Sequence, residues 1–127
     1  MRKQILIVDD EQYMLNSLRR VLKPYNNEYE FYMTSNSTDL QKIIAEKKID
    51  LLMTDILMPD KDGIQIINET KKNNPSVKII TISGGGLIEA DMYLDMALEI
   101  GSLYSLKKPF SIDELISAIR QLVGTDK

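Results

Sequence analysis

The residues of this sequence that could carry chemistry stand where apolar runs end. Asp55 closes the nearly continuous apolar stretch that begins at Ile49, which is typical of a strand covered on both faces. A second apolar run, Ile5 to Val8, leads directly into three acids, Asp9, Asp10 and Glu11. Clustered carboxylates repel one another unless a cation joins them, and hard oxygen ligands suit Mg²⁺. A lone strand-end acid would more often be a solvated turn residue, so the cluster carries the argument.

A serine and a lysine occupy comparable positions later in the chain. Ser83 follows the apolar run that starts at Val77, and Lys108 follows the short run from Leu103 to Leu106. The glycines after Ser83, Gly84 to Gly86, match no nucleotide-binding fingerprint, which favours a mobile loop over a phosphate loop. A metal, an ammonium group and a hydroxyl near Asp55 would make a phosphoryl-transfer site with Asp55 as the nucleophile.

Composition narrows the classes of function. The 127 residues suit one domain, 1–127, with a core over about 3–123 and a short loose C-terminal tail. The absence of histidine and cysteine excludes disulfides and His- or Cys-ligated metals. A net charge of −3 gives no electrostatic case for direct nucleic-acid binding. We find no membrane-spanning run or signal pattern, and we expect no membrane partner and a cytoplasmic protein.

Strand-like and helix-like segments alternate along the chain. Apolar residues at helical spacing predict helices over about 12–23, 40–47, 64–73, 90–100 and 112–123, between strands at about 5–8, 29–33, 49–55, 77–82 and 103–106. Pro24 ends the first helix, Tyr29 to Met33 reads as an edge strand, and Ser111 with Glu114 forms a capping box. Five such units predict an α/β fold, a doubly wound parallel sheet of order 2-1-3-4-5, flavodoxin-like, with helices on both faces. In that order the strands ending at Asp10 and Asp55 are neighbours, so their acids converge.

The motifs ILIVDDE, TDILMPDKDG, TISG and LKKPF, in this order and on these strand ends, resemble the response-regulator receiver domains of two-component signalling. The resemblance covers essentially the whole chain and implies a chemotaxis-regulator-like single-domain receiver. It implies that Asp55 is the phosphoacceptor, that Ser83 and Lys108 sense and pair with the phosphate, and that Lys108-Pro109 is cis. For Mg²⁺ it implies as ligands Asp9, Asp10, Asp55 and the backbone carbonyl of Leu57.

The same resemblance implies a switch rather than an enzyme. A sensor histidine kinase or phosphotransfer protein would donate the phosphoryl group from a phosphohistidine, and an altered conformation would control an unknown downstream partner or pass the group on. The protein would be a monomer or a weak phosphorylation-dependent dimer. The charge of Lys108 is expected to matter chiefly once phosphate is present.

One position departs from the family pattern, which usually places an aromatic residue three positions before the lysine. Here that position is Ser105, and the neighbouring Tyr104 would point to the opposite face unless a bulge shifts the strand. Without a bulge, we expect movement of Ser83 and the Gly84 to Gly86 loop to carry the signal.

Two other functions share this fold class. A phosphatase with an aspartyl nucleophile would place a general acid two residues later, where this chain has Leu57. A flavin-binding module would need a hydroxyl-rich phosphate loop where this chain has the acids after Val8. Both functions fit the sheet order, but neither fits the strand-end residues as well as a receiver domain does.

Overall fold

The computed structural model describes residues 2–56, 63–83 and 104–124, which form one parallel sheet with helices on both faces. The strands are β1 (Lys3–Val8), β2 (Tyr29–Thr34), β3 (Leu51–Asp55), β4 (Lys78–Ser83) and β5 (Tyr104–Lys107). They lie in the order β2-β1-β3-β4-β5, and every neighbouring pair is parallel. The predicted fold class and strand order are therefore confirmed.

Three of the described helices lie in crossovers between these strands, and a fourth follows β5. They are α1 (Gln12–Leu22), α2 (Leu40–Glu46), α3 (Gly63–Asn73) and α4 (Ile112–Val123). Pro24 ends α1 as predicted, because proline lacks an N–H, and the chain continues as a short 3₁₀ turn over Lys23–Tyr25. Ser111 caps α4, its Oγ accepting the Glu114 N–H at 3.1 Å. The helix predicted over 90–100 lies outside the described residues.

Two hydrophobic layers sandwich the sheet, which explains the continuous apolar runs in the sequence. One layer joins alternate residues of the central strands to α1 and α4, and contains Ile5, Ile7, Leu51, Met53, Ile80, Ile82, Leu15, Leu18, Leu115 and Ile119. The other joins the intervening residues to α2 and α3, and contains Leu6, Val8, Leu52, Ile79, Leu40, Ile44, Ile66 and Ile67. β2 is the predicted edge strand; its Tyr29 is fully buried, and its other residues are partly exposed.

Parallel pairing brings the carboxyl ends of all five strands to one edge of the sheet. β1 and β3 are adjacent there, and this is the point at which the strand order reverses, where open α/β sheets bind their ligands. Within the described ranges, no helix is both long and apolar enough to cross a bilayer.

Candidate functional site

Three carboxylates meet at the carboxyl ends of β1 and β3. Asp9 directly follows β1 and is 1% exposed, Asp55 ends β3 and is 6% exposed, and Asp10 is exposed to solvent. One side-chain oxygen of each lies within 4.8 Å of the others. The Asp9 Oδ1 also accepts the Glu11 N–H at 2.9 Å, which fixes that carboxylate at the start of α1. The convergence predicted from the strand ends is present in the structure.

Lys108 joins two of these carboxylates. Its Nζ lies 3.1 Å from Oδ2 of Asp9 and 3.1 Å from Oδ2 of Asp55, and its side chain is 15% exposed. Burial by itself lowers the pKa of this ammonium, but the charges and hydrogen bonds of Asp55 and Asp9 outweigh burial and raise the pKa overall. Lys108 is therefore protonated at neutral pH and already pairs with two carboxylates before any phosphate arrives. This corrects the expectation that its charge matters chiefly once phosphate is present.

Ser83 stands at the carboxyl end of β4, the strand next to β3. Its side chain is fully buried, and its Oγ is the one buried side-chain polar atom in the described part of the chain without a hydrogen-bond partner. Its carbonyl accepts the Lys108 N–H at 2.8 Å, so the two residues are tied together through the backbone. A buried hydroxyl without a partner is unfavourable, and such a group would gain a hydrogen bond from an incoming acceptor.

The carboxylate cluster fits a hard divalent cation. Three anionic oxygens within 4.8 Å of one another, with one donor residue open to solvent, suit the partly hydrated coordination that Mg²⁺ prefers. Asp9, Asp10 and Asp55 could supply these oxygens. The further ligand predicted from the sequence, the Leu57 carbonyl, lies outside the described residues, as do Gly84 to Gly86.

The sequence matches the family model of the response regulator receiver domain over residues 5–120. The chain belongs to this family. The acidic edge, the lysine and the buried serine are thus found in a receiver domain of two-component signalling, and the family assignment favours this interpretation over the phosphatase and flavin-binding alternatives.

Relatives of this receiver domain occur both as short chains and as parts of long ones. Sporulation initiation phosphotransferase F of Bacillus subtilis is 31% identical over 122 residues, covering 95% of this chain and 94% of that protein. An NtrX-like response regulator of Rickettsia bellii is 33% identical over 125 residues, or 97% of this chain, which spans only 25% of that protein. The crystal structure of a CheY-like receiver domain protein from Methanospirillum hungatei superimposes with a TM-score of 0.82 at 26% identity, covering 95% of this chain and 93% of that one.

Gly63 lies against the carboxyl end of β3. A Cβ at this position would lie 2.7 Å from the Ile56 Cα and 2.8 Å from the Asp55 carbonyl oxygen, closer than real Cβ atoms approach. The Gly63 N–H also donates to the Ile56 carbonyl at 2.9 Å, which joins the start of α3 to the end of β3. In the sequence, the Asp-Gly pair just before the helical pattern is the one signal for this close approach.

Ser105, at the position where the family usually has an aromatic residue, contacts a second hydroxyl residue on the neighbouring strand. Ser105 lies opposite Thr81 in the β4–β5 ladder, and their Oγ and Oγ1 atoms are 3.1 Å apart. The ladder is uninterrupted from Ile80–Tyr104 to Ser83–Lys107, so β5 has no bulge that could turn Tyr104. By alternation Tyr104 falls on the other face of the sheet from Ser105, and its side chain is 36% exposed. Tyr104 therefore does not occupy the position of the family's aromatic residue in this structure.

The cis peptide bond implied by the family resemblance is present between Lys108 and Pro109. It follows the last strand directly, where the chain turns from β5 towards α4.

Proposed function

We propose that this receiver domain accepts a phosphoryl group on Asp55 from the phosphohistidine of a sensor histidine kinase or a phosphotransfer protein. A carboxylate oxygen of Asp55 attacks phosphorus, the bond from phosphorus to the imidazole nitrogen breaks, and the imidazole keeps the electron pair. The product is an acyl phosphate on Asp55. The observation that carries the proposal is the set of three carboxylates joined by Lys108 at the carboxyl edge of the sheet.

The neighbouring residues have separate tasks in this proposal. Asp9, Asp10, Asp55 and the Leu57 carbonyl would hold Mg²⁺, which when bound neutralises charge on the phosphoryl oxygens. Lys108 pairs with a phosphoryl oxygen after leaving the Asp55 carboxylate, which phosphorylation has converted to an acyl phosphate. The Ser83 hydroxyl, which has no partner among the described residues, donates to another phosphoryl oxygen. None of these groups needs to turn over a substrate, so the domain acts as a switch and not as a conventional enzyme.

The consequence of phosphorylation in this proposal is a population shift. Ser83 and Lys108 form new contacts with phosphoryl oxygens. These contacts favour a second conformation at the carboxyl ends of β4 and β5, where the two residues lie. The signal leaves by noncovalent contact with a downstream protein or by onward transfer of the phosphoryl group. We further propose that residues 1–127 act as one domain in the cytoplasm, as a monomer or a weak phosphorylation-dependent dimer.

A panel of phosphorylated histidine kinases and phosphotransfer proteins, each incubated with this domain and Mg²⁺, tests the proposal. At least one donor should transfer its label to the wild type, while Asp55→Asn receives none and chelation of Mg²⁺ stops transfer. Labelling of Asp55→Asn at the wild-type rate, or transfer that chelation does not affect, would contradict the assignment of the site.

A further inference from the structure

Beyond phosphotransfer, α1 carries a charged groove at the end remote from the carboxylates. The groove is shallow and open to solvent, has a volume of about 630 Å³, and is lined by Asn16, Arg19, Arg20, Lys23 and Asn26. All five residues are exposed, and three of them are cationic in a chain whose net charge is −3. The positive charge is therefore a local feature of this surface and does not reflect the protein's overall balance.

The three cations in the groove have no acidic partners among the described residues. Elsewhere Arg2 pairs with Glu30, Lys42 with Glu46, and Arg120 with Glu28. Arg19, Arg20 and Lys23, in contrast, form no ion pair or side-chain hydrogen bond within the described ranges. Lys23 follows Arg19 and Arg20 by four and three residues, so their like charges are neighbours on the helix surface, which is mildly unfavourable without a counter-charge. The favourable interaction of cations with a helix C-terminus offsets part of this cost. That interaction explains why cations lie near the end of α1, but it does not explain why they line one groove.

We propose that this groove docks an acidic segment of a partner protein, with carboxylates on the two arginines and the lysine and backbone groups on the two asparagine amides. Arginine and lysine offer the donors that carboxylates accept, arginine in a bidentate arrangement. The Asn26 side chain can both donate to and accept from a peptide backbone, and Asn16, whose Oδ1 already accepts from the Gln12 Nε2, can donate through its amide N–H groups. A site for a simple anion would not need a hydrogen-bond acceptor.

Nucleic acid and anionic membrane fit this surface less well. Proteins that track a nucleic-acid backbone typically neutralise about 6–10 phosphates along an extended stripe. Here three cations share one groove, and the chain as a whole, with a sequence pI of about 5.0, would repel a long polyanion. A short acidic peptide segment matches both the size and the charge of the groove.

The docking site is separate from the phosphoacceptor. Arg19 and Lys23 lie 7 and 11 residues beyond the start of α1 at Gln12, which at a rise of ~1.5 Å per residue is roughly 10–16 Å along the helix from the acidic edge. A partner seated in the groove therefore leaves the carboxylate cluster accessible. Its binding should not depend on whether Asp55 is phosphorylated.

A fluorescein-labelled peptide of eight glutamates, titrated at low salt and followed by anisotropy, probes the groove. The triple variant Arg19→Gln, Arg20→Gln, Lys23→Gln should bind it about tenfold more weakly than the wild type, since exposed ion pairs each contribute modestly. The matched control, Lys42→Gln, Lys72→Gln, Lys78→Gln, removes the same charge elsewhere and should stay within about twofold. Amide shifts in ¹⁵N spectra should concentrate on the second half of α1 and the 3₁₀ turn, with and without beryllofluoride and Mg²⁺.

Several outcomes would overturn the docking proposal independently of phosphotransfer. They are no measurable binding of the peptide, equal losses in the two triple variants, or amide shifts spread over every lysine-bearing surface. Tighter binding of a twelve-nucleotide single-stranded DNA or of phosphatidylserine vesicles would show that the groove serves another class of partner. If circular dichroism shows that the triple variant does not fold, Arg20→Gln alone should weaken peptide binding about twofold to threefold, and an unchanged affinity would contradict the proposal.

Discussion

Replacing Lys108 with methionine should destabilise the metal-free receiver and at the same time strengthen its affinity for Mg²⁺. The substitution keeps the apolar stem and removes the ammonium that lies 3.1 Å from both Asp9 and Asp55. Breaking a buried ion pair typically costs ~3–5 kcal/mol, because the remaining charge has no partner. Since Asp10 is exposed and admits water to the cluster, we expect a smaller loss, about 2–3 kcal/mol in the free energy of unfolding.

The gain in metal affinity follows from the charge that the substitution removes. A cation coordinated at ~2.1 Å from these oxygens would lie roughly 5 Å from the position of Nζ. At that separation a divalent ion and an ammonium repel by about 2 kcal/mol in a water-like dielectric. Removing the ammonium should therefore tighten Mg²⁺ binding by about tenfold to thirtyfold.

Urea unfolding in EDTA and in saturating Mg²⁺ measures the stability, and calorimetric titration measures the affinity. Lys72→Met, on the exposed end of α3, is the control and should change both quantities little. The reasoning would be refuted if Lys108→Met were as stable as the wild type in EDTA and bound Mg²⁺ no more tightly, since Lys108 would then not be held between the carboxylates.

Three further substitutions test other parts of the structure. Gly63→Ala should lower the free energy of unfolding by about 3 kcal/mol and slow phosphorylation of Asp55, because the added Cβ meets backbone atoms that cannot move aside. Urea unfolding measures the loss, and a value below about 0.5 kcal/mol would contradict this prediction. Lys48→Gly should raise the free energy of unfolding by about 0.5 kcal/mol, because the φ of Lys48 is 52°, in the left-handed region that favours glycine. The control Lys47→Gly, at a φ of −89°, should lower it, and equal effects would argue against backbone strain at Lys48. Ser83→Ala should leave the free energy of unfolding unchanged or raised by up to ~1 kcal/mol, because the lost Oγ has no hydrogen-bond partner among the described residues. The same variant should reduce the amide shifts that beryllofluoride and Mg²⁺ induce; unaltered shifts would show that Ser83 has no part in the switch.

Much of the fold was predictable because its signals are local. The strands covered on both faces appear as apolar runs, and proline and serine mark helix ends at Pro24 and Ser111. The right-handed crossover rule then leaves few sheet orders, and the order found is the one predicted. Strand ends differ from the prediction by one or two residues, since pairing with a neighbour and not composition decides where a ladder stops.

The sequence predicted which residues form the site, but it did not predict the contacts that these residues make before phosphorylation. Parallel strands bring Asp9, Asp55 and Lys108 to one edge from positions far apart in sequence, and strand order alone predicts that. The bridging position of Lys108 depends on the side-chain conformation at a turn, which no periodicity encodes. The close approach of Gly63 to the end of β3 likewise depends on tertiary packing, and only its residue type hinted at it.

The most direct test of the account is to locate the phosphoryl group chemically. The protein is treated with a small phosphodonor and Mg²⁺, and borohydride then reduces any aspartyl phosphate to homoserine, which peptide mass spectrometry assigns to one position. The account predicts that homoserine appears at position 55, and that neither Asp9 nor Asp10, whose oxygens lie within 4.8 Å of it, is modified. Homoserine at position 9 or 10 with Asp55 intact would contradict the central claim.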